Sequence, residues 1–487
     1  MWFRTRPPDD YTKSCMGLEE LLAVKKNVDR RQFLKSAVSA AAGAVGIPYL
    51  IPSSVLGKAG SVAPSGRITV GCIGLGNQGG ALLRGFLGKD NVQIIAICDV
   101  HNIKRQGSVR IVQERYAKRR AGADYKGCAG YDDFRELLGR PDIDAVVIAT
   151  PDHWHVPISV AAAQAGKDIY LEKPIGLTVG QSQALRQTLG RYGTVFQFGT
   201  QQRSDVKFRR ACELVRNGRI GRLNTINVWS PSSNSGGSMK PVPAPKELDY
   251  DMWLGPAPYV PYTKNRCSNV NPFSPSPFKI WPFISDYCIG WIAGWGIHPM
   301  DIALWGAEHE LSGVVEVEGK GIFPTNAACD TATNWDVVLK FIDSKVQINF
   351  KGIGGSSGPA PAEWRRRYQK TGAHGTVFEC TQGWVHVKRG YIDAHPKSVL
   401  DSQIKPSEIQ LYKSNDHIRN FLDCVKSRAR TISPIESAVR ADTLCQISNI
   451  AILLKRKLKW DPATGRFVND DTANRFLAQA MSSPWRL

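Results

Sequence analysis

Three glycines at a fixed spacing are the first residues in this 487-residue chain that could do chemistry. Gly74, Gly76 and Gly79 lie in Gly74-Leu75-Gly76-Asn77-Gln78-Gly79, the pattern G-x-G-x-x-G. The first allows a tight turn, the second lets backbone approach a pyrophosphate, and the third lets a helix pack on its strand. A helix beginning there also offers free N–H groups and its positive dipole end to phosphate. Alone the pattern is weak, because glycine-rich turns often hold nothing. Here an apolar, β-branched run from Arg67 to Ile73 precedes it, and Ala81, Leu82, Leu83 and Phe86 continue as a helix face. A second run, Val92 to Cys98, ends in Asp99, 20 residues past Gly79, where a carboxylate would hold a ribose diol. The chemistry implied is dinucleotide binding. Asp99 favours NAD, since it repels a 2′-phosphate, although Arg105 lies close enough to compete with that preference.

A loop of this kind needs a parallel sheet to carry it. Residues 66–200 alternate strand and helix. Strands are expected at Ala145–Thr150, Asp168–Glu172 and Thr194–Phe198, with helices near 103–120, 132–138, 156–165 and 178–192. That rhythm predicts a doubly wound α/β sheet with ligands at the carboxyl ends of its strands. A helix at Asp205–Asn217 and a strand at Leu223–Trp229 open a second domain, 201–412. Residues 230–290 are rich in Pro, Ser and aromatics, among them Trp253, Tyr259, Tyr262, Phe273, Phe278, Trp281 and Phe283. Such a density of aromatics favours an ordered cover over a linker. The strands that follow, from Gly313–Gly319 to Gly383–Val387, predict a large, mostly antiparallel sheet. Helices at Asp416–Arg428 and Ile435–Lys457 lie in a last section, 413–487, expected to pack back on the nucleotide domain and end in a tail.

Composition narrows the class. The formal charge is +20, and residues 1–60 contribute nine basic and five acidic side chains to it. The remaining basic residues are scattered, apart from Arg365-Arg366-Arg367, so a nucleic-acid surface is not indicated. Eleven cysteines include no C-x-x-C pair, which speaks against both zinc and a disulfide framework; no metal is expected. Residues 1–65 read as a twin-arginine signal and linker. Arg30-Arg31-Gln32-Phe33-Leu34-Lys35 precedes a small, apolar run from Ala37 to Ile51 that is too short for a stable span. Export to the periplasm by that machinery follows as an expectation.

Taken together, the motifs resemble the glucose–fructose oxidoreductase / inositol dehydrogenase / MocA family. The matching pieces are the glycine loop, Ala149-Thr150-Pro151-Asp152-His153-Trp154-His155, Glu172-Lys173-Pro174, Gly199-Thr200-Gln201-Gln202-Arg203 and Gly296-Ile297-His298-Pro299-Met300-Asp301. The resemblance implies a nucleotide domain followed by an open-faced α/β domain whose sheet mediates homo-oligomers. It implies a tightly bound NAD held by Gly74–Gly79, Asp99, Thr150, Pro151, His153, His155, Glu172 and Lys173. Lys173 would lie beside the nicotinamide, holding a substrate hydroxyl oxygen and stabilising charge as hydride leaves. His298, before a proline suited to a helix's first turn, would be the base, with Asp301 orienting histidine or substrate. Arg203 and Trp295 complete the substrate side with Lys173 and His298.

One departure stands out. Family dehydrogenases often place an Asp four residues before this histidine, and here that residue is Gly294. Asp301 or Asp286 would have to substitute. Three functions therefore stay open: an oxidoreductase on a sugar, polyol or glycoside; a glycosidase that oxidises, eliminates and reduces again on one NAD; and a non-catalytic sugar-binding relative.

Overall fold

The computed structural model describes residues 66–119, 124–267, 280–354 and 358–487. The twin-arginine motif, and Phe273 and Phe278 of the cover, lie outside the described residues. The first sheet is built from β1 (Ile68–Ile73), β2 (Val92–Cys98), β3 (Ala129–Tyr131), β4 (Ala145–Ile148), β5 (Asp168–Leu171) and β6 (Phe196–Phe198). Its spatial order is β3-β2-β1-β4-β5-β6, and every pairing is parallel. The order reverses between β1 and β4, so the loops leaving those two strands diverge and open a crevice. Helices α1 (Asn77–Leu87), α2 (Asn102–Arg119), α3 (Phe134–Leu138), α4 (Asp152–Gln164) and α5 (Val179–Tyr192) flank the sheet.

Helix α4 begins four residues before the expected Val156. Pro151, with φ −60° and ψ 154°, supplies the extended entry residue, and Pro157 is accommodated inside the helix. The earlier start places His153, Trp154 and His155 on the first turns of a helix at the end of β4, not in a loop.

After α6 (Val206–Arg216) the chain enters the second sheet with β7 (Leu223–Pro231). Helix α7 (Ile297–Gly306) follows the aromatic cover. Then come β8 (Val315–Ile322), β9 (Asn334–Phe341), β10 (Gln347–Ile353), β11 (Gly375–Cys380), β12 (Gly383–Lys388) and β13 (Tyr391–His395). Helices α8 (His417–Ser427) and α9 (Ile435–Leu454) precede β14 (Leu458–Asp461) and β15 (Arg466–Phe467). Among the described residues the sheet has nine strands, β13-β12-β11-β7-β10-β9-β8-β14-β15, antiparallel except for β7 with β10.

Two features of the end of the chain correct the expectation from sequence. Strands β14 and β15 are not tail; β14 extends the second sheet by pairing with β8. Helix α9 does not pack on the nucleotide domain alone. It is apolar almost all round, and its buried Asp442 accepts from Ser182 of α5 at 2.6 Å, while Arg440 donates to the Leu311 carbonyl, 3.1 Å away, just before β8. Helix α8 does lie on the first domain, where Phe421 meets Phe86 and Tyr170 edge-on, with ring centroids 6.3 and 5.8 Å apart. One buried apolar cluster runs from Ile148 and Leu171 through Met300 to Val337 and Phe350, so both sheets share a core.

Candidate active site

At the crevice, Gly74 has φ +83°, a conformation L side chains rarely adopt, and a Cβ there would come within 2.7 Å of the Thr150 nitrogen. A Cβ on Gly79 would overlap the Gly74 carbonyl oxygen, so only glycine allows α1 to approach β1 this closely. Gly76 differs: a Cβ there would meet nothing within 4 Å. Gly76 is also the entry residue of α1 and offers no side-chain cap, leaving first-turn N–H groups available. Thr150 Oγ1, at the end of β4, is buried and without a hydrogen-bond partner among the described residues. Open space over one glycine, free N–H groups and an orphaned hydroxyl at one switch point fit a dinucleotide phosphate. The cavity they share encloses about 300 Å³ and runs from Asp99 and His101 to Lys173 and Trp295, with Asn77 and Pro151 also in its wall.

Asp99 lines this cavity but also braces it. Its Oδ2 accepts from Leu75 N at 2.7 Å and its Oδ1 from His101 N at 2.9 Å, so one lone pair per oxygen remains for a ribose hydroxyl. Arg105 is turned to the Asp99 carbonyl (2.7 Å), Asn102 (3.2 Å) and Asp132 (3.6 Å).

Glu172 and Lys173 leave the end of β5. Glu172 is buried, and its Oε1 accepts from Gln78 and from Gln201, each at 2.8 Å. Burial pushes this carboxyl up, partly countered by Lys173 and those amides. It ties α1 to the segment after β6 as well as facing the cavity. Lys173 Nζ donates to the Gly294 carbonyl at 2.6 Å. The position where a carboxylate is missing thus still holds the ammonium, through its backbone oxygen. His155 lies between the Pro174 carbonyl (Nδ1, 2.6 Å) and the Thr150 carbonyl (Nε2, 2.9 Å), and burial lowers its pKa to about 4. It therefore couples the ends of β4 and β5. His153, expected at the cofactor, points elsewhere: its Nε2 meets the Trp253 carbonyl at 3.0 Å and its ring packs between Trp253 and Tyr287. Helical geometry separates it from His155, because residues two apart do not share a face.

His298 is the second residue of α7, as the following proline suggested, and is buried. Its Nδ1 has no partner among the described residues, and its ring meets Trp295 edge-on at 5.4 Å. Burial first, then Lys173, Arg389, His374 and His417, hold its pKa well below the usual histidine value, so the imidazole is neutral. Asp301 does not assist it. The Asp301 carboxylate is taken by a two-pronged pair with Arg203, Nε to Oδ2 at 2.7 Å and Nη2 to Oδ1 at 2.8 Å, both side chains buried. Arg203 also lies over Trp305, 5.2 Å from the ring centre. The expected catalytic Asp301 and substrate-binding Arg203 satisfy each other, joining the segment after β6 to α7. Asp286 has its carboxyl raised by burial and by Asp330, with Arg266 countering.

Two further residues at the Trp295 end carried no motif in the sequence. The Arg389 guanidinium, from the turn between β12 and β13, lies over the Trp295 ring at 4.7 Å, and His374, beside the start of β11, packs against the same ring at 4.7 Å. In the amide orientation that satisfies both neighbours, Gln202 donates to the His298 carbonyl (3.3 Å) and accepts from Arg389 Nε (3.2 Å). No group of His, Cys, Asp and Glu among the described residues could hold a metal ion.

Comparison with known proteins agrees with this architecture. Residues 68–200 match the oxidoreductase family, NAD-binding Rossmann fold, and residues 221–305 and 382–487 match its C-terminal alpha/beta domain. Among solved structures, GenD2 from gentamicin A biosynthesis in complex with NAD is 16% identical, with a TM-score of 0.55 over 82% of this chain and 98% of that one. Scyllo-inositol dehydrogenase from Lactobacillus casei with bound NAD(H) and scyllo-inositol is 15% identical, with a TM-score of 0.53 over 81% and 99%. Similar in sequence are an alpha-N-acetylgalactosaminidase from Shewanella oneidensis, 34% identical over 176 residues, and a glycosyl hydrolase family 109 protein from Solibacter usitatus, 34% identical over 168. These matches cover 34% and 33% of this chain and only 38% and 36% of the relatives' own lengths. With both domain models matched in order on a fold of this topology, the chain belongs to the glucose–fructose oxidoreductase / inositol dehydrogenase / MocA family of NAD-binding oxidoreductases.

Proposed function

We propose that this protein moves a hydride between NAD and a hydroxyl-bearing carbon of a sugar, polyol or glycoside. The observation that carries the reading is Lys173 Nζ, held on the Gly294 carbonyl at the wall of the glycine-loop cavity. The bound nicotinamide supplies a hydride acceptor and donor. Gly76, the first turn of α1 and Thr150 hold the phosphates, and Asp99 takes the ribose. Lys173 fixes the reacting oxygen and stabilises its growing negative charge. His298, neutral and near the start of α7, accepts the hydroxyl proton. NAD is preferred to NADP because the Asp99 carboxylate faces the cavity while Arg105 beside it is already held by the Asp99 carbonyl, Asn102 and Asp132.

Lys173→Ala should lower turnover about a hundredfold, the worth of ~3 kcal/mol, and leave NAD bound. His298→Ala should lower it by roughly a hundredfold or more. Turnover should be flat between pH 6 and 8 on the acid side, since the His298 imidazole resists protonation. An acidic limb near pH 6.5 that persists in His298→Ala would remove His298 from the reaction, and a normal rate for Lys173→Ala would remove Lys173.

A second reading has its own support. The aromatic cover and the C-terminal segment close over the crevice: Trp154 Nε1 donates to the Trp253 carbonyl (3.1 Å), and Ser482 binds Pro256 and Ala257 at 3.0 and 2.8 Å. Trp485 meets Trp154 edge-on at 4.6 Å. An enclosed cofactor suits oxidation, elimination and reduction on one NAD, a net hydrolysis consistent with the named activities of the Shewanella and Solibacter relatives. A glycoside panel, with released aglycone and bound-cofactor absorbance followed together, separates the two. Aglycone release without added acceptor means hydrolysis; stoichiometric NADH without release means oxidation. We also propose export by the twin-arginine route and assembly through the second sheet. Replacing Arg30 and Arg31 with Lys should leave folded protein in the cytoplasm, and unchanged export would refute the signal.

A further inference from the structure

Around Trp295 the chain gathers positive charge, and among the described residues the carboxylate that acts on it is Glu172. Lys173 and Trp295 line this end of the cavity, Arg389 lies over the Trp295 ring, and Lys388 adjoins Arg389 in sequence. Lys173 rests on a backbone carbonyl, Arg389 on the Trp295 face and a Gln202 amide, and Lys388 over the Tyr391 ring at 5.6 Å. None of the three makes an ion pair among the described residues. This contrasts with Arg203, Arg216 and Arg219, each paired with a carboxylate within 2.8 Å. Lys173 and Arg389 also act on His298 and lower its pKa. Glu172 is the acidic group nearest Arg389, and its oxygens are already engaged by Gln78, Gln201 and the Lys173 N–H.

An arginine held over a tryptophan ring keeps further N–H groups on its rim, and these match a carboxylate or sulfate in geometry. Arg389 is exposed where Lys173 is half-buried, which suits it to a group remote from the reacting carbon. Trp295 itself lines the cavity, so the ring places that guanidinium beside its wall.

We propose that Arg389, stacked on Trp295 and set by Gln202, forms an anion subsite, so that the substrate is a sugar carrying a carboxylate or a sulfate ester. The inference rests on the carbohydrate reading above and narrows it. Arg389 is a specificity residue. It anchors the charged substituent while Lys173 and His298 address the hydroxyl.

The test is calorimetric titration of the NAD-loaded full chain with methyl galactoside, methyl galacturonide and methyl galactoside 6-sulfate. At least one charged ligand should bind about tenfold or more tightly than the neutral one, and the advantage should shrink with added salt. Which of the two binds tells carboxylate from sulfate. Arg389→Gln should abolish the charged ligands' advantage over the neutral one, with Arg389→Lys in between. Equal binding of all three by the wild type, or a charge preference that survives Arg389→Gln, overturns the subsite. In parallel, nicotinamide absorbance with each ligand reports the hydride reaction itself. Loss of charge preference with hydride transfer intact sinks only the subsite; no hydride transfer from any sugar sinks the broader reading.

Discussion

At the scale of single residues, the glycine loop separates two demands that its motif merges. Gly79 is required by the fold, because a methyl group there would overlap the Gly74 carbonyl, whereas a methyl on Gly76 would project into open space. Gly79→Ala should therefore destabilise the protein by about 3 kcal/mol through overpacking. Gly76→Ala should leave the melting temperature nearly unchanged and weaken NAD at least about tenfold, by filling the room a pyrophosphate needs. Thermal melts with and without NAD, together with equilibrium dialysis, distinguish the two. Equal loss of stability in both variants would contradict the assignment. Lys173 illustrates the converse, where one backbone oxygen does the holding. Its partner is the carbonyl of Gly294, which any residue at that position could offer.

At the scale of elements, the Arg203–Asp301 pair joins the short turn after β6 to α7, 98 residues later in sequence. A buried ion pair is no strong net source of stability, but removing one partner strands the other charge. Asp301→Ala should cost about 3–5 kcal/mol and lower the unfolding midpoint, while NAD affinity stays close to wild type. Denaturant unfolding and NAD titration of the variant check this. A normally stable variant that has lost turnover would restore Asp301 to the catalytic list. Helix α9 has a similar linking role. Its all-round apolar surface reflects burial against both domains, which is why it shows no clear hydrophilic face.

For the whole molecule, acid sensitivity follows from where the histidines lie. Seven of the nine have pKa values lowered by burial: His101, His153, His155, His298, His374, His386 and His417. For His153, His155, His374, His386 and His417 the folded value is about 4. Unfolded histidines take up a proton near pH 6.5, so the unfolded chain binds more protons below that pH and stability falls as pH drops from about 6.5 toward 4. Asp442, raised to about 6, and the raised Glu172, Asp168 and Asp286 act in the opposite direction, favouring the folded state as they protonate. The histidines outnumber them, so the melting temperature should fall between pH 7 and pH 5. A flat or rising midpoint would show that the buried carboxyls dominate.

The sequence by itself determined what depends on near neighbours in the chain. Short apolar runs marked β1 and β2 to within a residue, and G-x-G-x-x-G followed by Asp99 located the crevice, because turn, strand and helix start are all short-range features. The Glu172-Lys173-Pro174 segment, at the end of a parallel strand, was legible for the same reason. Only the tertiary structure decided which distant groups meet. It paired Arg203 with Asp301, turned His153 away from the crevice while His155 stayed, and added β14 and β15 to the second sheet. It also brought Arg389 and His374 to Trp295 from strands that follow it by some 80 to 90 residues, in segments with no motif of their own. Contacts of that kind arise when two sheets pack around one core, and spacing along the chain carries no record of them.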